Sequence, residues 1–174
     1  MSQLTFISNK TKKETYKYLF VVTLAIASWL LQVSIFSRFL FFDTSPNLMF
    51  LGCIYLGIRF GSPFGTIFGL IASFLCASTA YDHTFYFSYP LCGFVSGLLT
   101  KNVFLDELLF CIFLSIVLIP VLEFLNSWQY SFNYPINLLD RLILVTLYGI
   151  VINIIIAPIY YLTLRFITKK LNLW

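Results

Sequence analysis

The sequence predicts an all-α integral membrane protein: one polytopic domain over residues 1–174, a six-transmembrane-helix bundle with N and C termini cytoplasmic. Three observations predict it. Of the 174 residues, 60% are hydrophobic and only 10% charged, which leaves too little polar surface to cover a water-soluble globule. The apolar residues fall in several runs spread along the whole chain, with a mean hydropathy of +0.90, so no stretch is left for a separate soluble domain. The eleven Lys and Arg stand mostly at the ends of those runs, where membrane topology requires them. The net charge of +4 therefore implies no nucleic-acid partner, and the partner implied is the lipid bilayer.

The elements follow in order. A polar segment with Lys10, Lys12, Lys13 and Lys17 leads into a helix over 18–37, whose long apolar run lacks the small-x-small ending of a cleaved signal and is expected to be retained. After a turn around Asp43-Thr-Ser-Pro46, a short run predicts a helix over 46–60, ended by Arg59, Gly61 and Pro63. Helices over 64–80 and 85–100 flank the polar connection Tyr81-Asp82-His83-Thr84, and Lys101 to Glu107 closes that pair. A fifth helix is predicted over 108–125. The uncharged loop from Asn126 to Leu139, with Trp128, Tyr130, Phe132 and Tyr134, has the composition of an aromatic belt at headgroup level. A sixth helix over 142–164 ends before Arg165, Lys169 and Lys170.

The second helix is short, since about thirteen residues rise only about 20 Å against about 30 Å of hydrocarbon. Charge decides whether it crosses. With six crossings the cytoplasmic side holds Lys10, Lys12, Lys13, Lys17, Arg59, Lys101, Arg165, Lys169 and Lys170, against Arg38 and Arg141 outside, nine to two. With five crossings the split is five to six and the positive-inside bias vanishes, so six crossings are predicted.

Catalytic and metal chemistry find no foothold in the pattern. Cys53, Cys76, Cys92 and Cys111 all lie inside apolar runs without CxxC spacing, and they read as buried small hydrophobes. His83 is the only histidine, in a short loop beside Asp82, without the partners that acid–base or metal chemistry needs. Walker, GxSxG and HExxH motifs are absent, so no catalytic residue, metal ligand or cofactor is expected.

The most organised pattern is a row of small residues, Gly61, Gly65, Gly69, Ser73 and Ala77, recurring every four positions on the third helix, with Gly93 and Gly97 on the fourth. Such rows let backbones approach closely in lipid, either as internal packing, the favoured reading, or as a docking face for another membrane protein. Polar residues inside apolar runs are Gln32, Glu123 and Asn153, each costly unless paired. Glu123, two residues from the predicted end of its helix, reads as an interfacial carboxylate rather than a proton carrier. Asn153 with Pro158 suggests a local break in the sixth helix that Asn153 helps satisfy. Asp140 and Arg141 stand at the start of that helix, where the carboxylate favours the positive helix end.

The order of these features resembles the MreD family, the small membrane subunit of the bacterial rod-shape machinery. The residues that carry the resemblance are Leu30-Leu-Gln32-Val-Ser34, Pro46-Asn47-Leu48, Tyr55-Leu-Gly-Ile-Arg59-Phe-Gly61 and Gly65-Thr-Ile-Phe-Gly69-Leu-Ile71. Leu91-Cys-Gly93-Phe-Val-Ser-Gly97, Leu122-Glu123 and Asn153-Ile-Ile-Ile-Ala157-Pro158 complete the set, so that nearly the full chain is covered. The family often has an Asp near the end of the third helix. Here that region reads Phe74-Leu-Cys-Ala-Ser78, so no role of that carboxylate transfers.

The resemblance implies a non-enzymatic scaffold of the inner membrane that binds an MreC-like membrane-anchored periplasmic protein. Through it the scaffold would support MreB, RodA and a class B penicillin-binding protein in peptidoglycan synthesis. A more distant likeness, to the substrate-binding S subunits of energy-coupling-factor vitamin transporters, supplies an alternative. That alternative wants a small-residue docking face on the first helix, and Ala25, Ala27 and Ser28 lack the i, i+4 spacing for one.

Overall fold

A short apolar run with no charge before Arg59 has nowhere to hide in water, and in the folded chain it becomes the centre of the molecule. The computed structural model describes residues 2–38, 44–80, 85–100, 106–134 and 138–173. Its elements are α1 (Ser2–Ser34), a 3-10 turn (Phe36–Arg38), α2 (Leu48–Phe60), α3 (Ser62–Ala80), α4 (Ser88–Leu99), α5 (Glu107–Asn133) and α6 (Leu138–Lys170). Eleven of the thirteen residues of α2 are buried, because helices α1, α3, α4, α5 and α6 all pack around it.

Side-chain contacts fix the direction of each helix. Lys17 of α1 lies over the rings of Phe60 and Phe64, and Arg59 pairs with Glu107, so the start of the apolar segment of α1 (from Glu14), the α2–α3 turn and the start of α5 share one end of the bundle. Tyr55 meets Thr168 there, which adds the end of α6. At the opposite end Gln32 reaches Met49, Asn47 reaches Asn153, and Asn126 reaches Phe85. The six helices therefore run alternately up and down.

Four helices carry segments long and apolar enough to cross a membrane: Glu14–Arg38, Ser62–Thr79, Glu107–Phe132 and Leu142–Lys170. Helices α2 and α4 are shorter, with thirteen and twelve residues, or about 20 and 18 Å of rise. The long helices expose large apolar side chains outward, among them Leu19, Phe74, Phe113, Leu147, Ile155 and Phe166, the surface expected of a bundle whose solvent is lipid.

Several boundaries differ from expectation. Helix α1 begins at Ser2, because the Lys-, Thr- and Glu-containing leader continues the helix instead of preceding it. Helix α5 runs through Asn126 to Asn133, where a loop was expected. The rings of Phe124, Trp128 and Phe132 contact one another at i, i+4 spacing, 5.7 and 6.5 Å between centroids, and the Ser131 hydroxyl bonds back to the Trp128 carbonyl. Helix α6 is continuous from Leu138 to Lys170 with Pro158 inside it, so the break expected near Pro158 does not occur. The connection containing Asp82 and His83, the residue Lys101 and the side chain of Arg141 lie outside the described residues.

Candidate functional site

The first N–H groups of any helix lack intrahelical acceptors, and in lipid no water replaces them. Helix α2 solves this at its buried start with its own N-cap and side chains from two other helices. The Asn47 side chain accepts from the N–H of Phe50 at 3.0 Å, Gln32 of α1 accepts from the N–H of Met49 at 3.3 Å, and Asn153 of α6 accepts from the N–H of Asn47 at 3.0 Å. The Asn47 amide also donates to the Tyr89 hydroxyl at 3.0 Å. Two of the three polar residues singled out from the sequence thus meet at one point. Asn153 spends its amide N–H on the Gly149 carbonyl, 2.8 Å away, so it serves α2 and its own preceding turn rather than the carbonyl freed by Pro158.

Glu123 of α5 approaches that junction from the side of Tyr89. It is half-buried and lies within electrostatic reach of Tyr89. Because α5 continues ten residues past it to Asn133, about 15 Å of further rise, it is not at a helix end, and the positional argument for an interfacial carboxylate falls.

The other end of α2 carries a second junction, which sequence reasoning missed. Arg59, in the last turn of α2, pairs with Glu107, in the first turn of α5, and each charge faces the helix-dipole end that favours it. The Arg59 side chain is 11% exposed and that of Glu107 40%. Tyr161 of α6 donates to the second Glu107 oxygen at 2.6 Å, and its ring stands edge-on to Tyr55 at 5.3 Å. The Tyr55 hydroxyl meets the Thr168 hydroxyl at 2.8 Å. The signal available was an Arg and a Glu at the facing ends of two apolar runs predicted to be antiparallel, but 48 residues separate them.

Between these junctions lies the glycine contact. A Cβ on Gly65 would come within 2.6 Å of the Gly93 carbonyl oxygen, and one on Gly93 within 2.2 Å of that of Gly65. On Gly69 it would strike the Pro90 backbone at 2.6 Å, and on Gly97 the Ser62 backbone at 2.2 Å. Helix α2 joins through Gly57, whose added Cβ would meet Ser96 Oγ at 2.0 Å. Ser73 and Ala77 continue the α3 row and are buried. Gly61 does something different: it caps α2 at φ 93°, a conformation that glycine adopts at no steric cost. The small-residue rows thus face one another inside the bundle.

Cys53, Cys76, Cys92 and Cys111 are all free and buried. Among the described residues no group of three His, Cys, Asp or Glu is placed to hold a metal ion. Asp140 sits in the first turn of α6, as a dipole-favouring carboxylate should. On α1, Ala25 and Ser28 turn inward, Ser28 bonding Tyr160 at 2.8 Å, while Leu19, Val22, Ile26, Leu30 and Val33 face out. Comparison with models of known protein families, with characterised proteins and with solved structures finds no match to this chain. The contacts described at these positions join helices to one another.

Proposed function

We propose that this chain is a non-enzymatic membrane scaffold of the bacterial cell-elongation complex, similar to MreD. In this reading all six helices cross the inner membrane, with both termini cytoplasmic. It binds an MreC-like single-pass protein and through it supports MreB, RodA and a class B penicillin-binding protein in peptidoglycan synthesis.

One observation carries the reading. The residues of the MreD-like motifs, scattered from Gln32 through Asn47 to Asn153, meet at the start of α2, and Gly65, Gly69, Gly93 and Gly97 meet each other beside it. Motifs that are individually weak in a lipid-biased alphabet thus share one structural task. Charge supports the topology: Lys17, Arg59, Arg165, Lys169 and Lys170 lie toward the end of the bundle that holds the α2–α3 turn and the end of α6, and Arg38 lies at the other. The short α2 and α4 cross through snorkelling and local bilayer thinning at modest cost.

The transporter-subunit alternative is disfavoured by α1, whose outward face is bulky where a docking face would be small. Purification of the protein from its native membrane, with identification of its companions, separates the two. Recovery with a periplasmic coiled-coil protein and without ATPases is expected. Recovery with nucleotide-binding ATPases, or with a bound vitamin, overturns the scaffold.

A further inference from the structure

Both ends of the chain contribute to a groove that the helix-fastening account leaves unused. Tyr16, Leu19, Phe20 and Thr23 of α1 form one wall and Leu171 and Leu173 the other, around a cavity of about 310 Å³. The second wall exists because the chain turns back after α6: Asn172 adopts φ 51°, which Asn tolerates better than most residues, and the Leu173 N–H closes onto the Thr168 carbonyl at 3.2 Å. Leu173 is thereby buried. Thr23, the one lining aliphatic hydroxyl, is turned back onto the carbonyls of Leu19 and Phe20 at 3.0 Å each, so that wall is apolar.

Cations neighbour the lining residues in sequence on both walls. Lys17 follows Tyr16 and is held over Phe60 and Phe64, while Lys169 and Lys170 immediately precede Leu171 and are exposed, as is Arg165 one turn earlier. Among the described residues none of Arg165, Lys169 and Lys170 is in an ion pair, and the one ion pair at this end is Arg59–Glu107. An apolar slot whose C-terminal wall follows directly on two exposed, unpaired lysines complements a molecule with a hydrocarbon tail and an anionic head.

We propose that this groove binds one anionic phospholipid, an acyl chain lying between α1 and the C-terminal turn and the phosphate held at the Lys169–Lys170 rim. The apolar wall supplies the fit and the lysines supply the selection, since a zwitterionic lipid would fill the slot equally well but gain nothing from the net positive charge.

The test is lipid titration of the detergent-purified protein, read by native mass spectrometry, with phosphatidylglycerol and phosphatidylcholine of matched chains. Phosphatidylglycerol should bind at least tenfold more tightly, and added salt should reduce the preference. Lys169→Gln with Lys170→Gln should weaken it roughly fivefold per charge, about twenty-five-fold together. Thr23→Phe, which fills the slot, should weaken both lipids, whereas Arg38→Gln at the far end should change neither. A photo-reactive residue replacing Tyr16 should acquire a phospholipid mass in native membranes. Equal binding of the two lipids, indifference to the lysine changes, or cross-linking of that position to a protein instead of a lipid would overturn the assignment.

Discussion

Helices α3 and α4 are held together by the absence of side chains, and the α5–α6 pair is held to the rest by their presence. Across the first contact, glycines let backbone meet backbone so closely that a single added carbon overlaps the neighbouring main chain. Across the second, Arg59, Glu107, Tyr161, Tyr55 and Thr168 bond at one end of α2 and Asn47 with Asn153 at the other. Lipid tails are as apolar as leucine, so the hydrophobic effect cannot choose between partners inside a membrane. Close van der Waals approach and hydrogen bonds remain, and this bundle uses one to join α3 to α4 and the other to attach α5 and α6. A contact built from backbone does not tolerate enlargement, whereas one built from side chains can lose a bond and survive.

The largest expected effect is at the glycines. Gly65→Leu or Gly69→Leu must displace backbone, and we expect a loss of about 3 kcal/mol or more, seen as failure to accumulate in the membrane and to recover a partner. Unchanged accumulation would mean that the helices part without consequence. Glu107→Gln should cost less, about 2 kcal/mol in a denaturant-induced unfolding titration in detergent, because the carboxylate is partly exposed and screened while Arg59 keeps a neutral acceptor. Replacing both Arg59 and Glu107 with Met should cost less than the sum of the two single changes, since neither charge is then left without the other. Asn153→Leu removes the acceptor of the Asn47 N–H and should cost about 1 kcal/mol, within the range of interhelical hydrogen bonds in membranes. Gly149→Ala completes the series as the smallest effect. Its added carbon would meet only side chains at 3.6 and 3.9 Å, so the change should be neutral or stabilising by up to about 1 kcal/mol.

The positions of the helices were legible because hydropathy reports what lipid can surround, and the glycine rows because a period of four lays them on one face. The helix ends were not. Lipid composition stops at the membrane surface but the backbone hydrogen-bond ladder does not, so α1 extends into its lysine-bearing leader and α6 reaches Lys170. The Asn126–Asn133 segment looked like a loop through its Asn, Ser and Tyr content, although Phe124, Trp128 and Phe132 already carried helical spacing. Gln32 and Asn153 could be recognised as costly polar groups, but their shared target was hidden, because the acceptors they supply answer backbone N–H groups that every sequence contains. The Arg59–Glu107 pair was hidden for another reason: each residue had a sufficient local explanation as the boundary of an apolar run.

All of this turns on α2 as a crossing helix, despite its thirteen residues. Single cysteines replacing Ser45, before α2, and Pro63, just after it, in a background with the four native cysteines changed to Ala, can be probed in intact cells with a membrane-impermeant maleimide. Labelling of position 45 from outside, with position 63 reactive only after the membrane is opened, is the predicted result. Labelling of both positions from the same side would make α2 re-entrant and contradict the account.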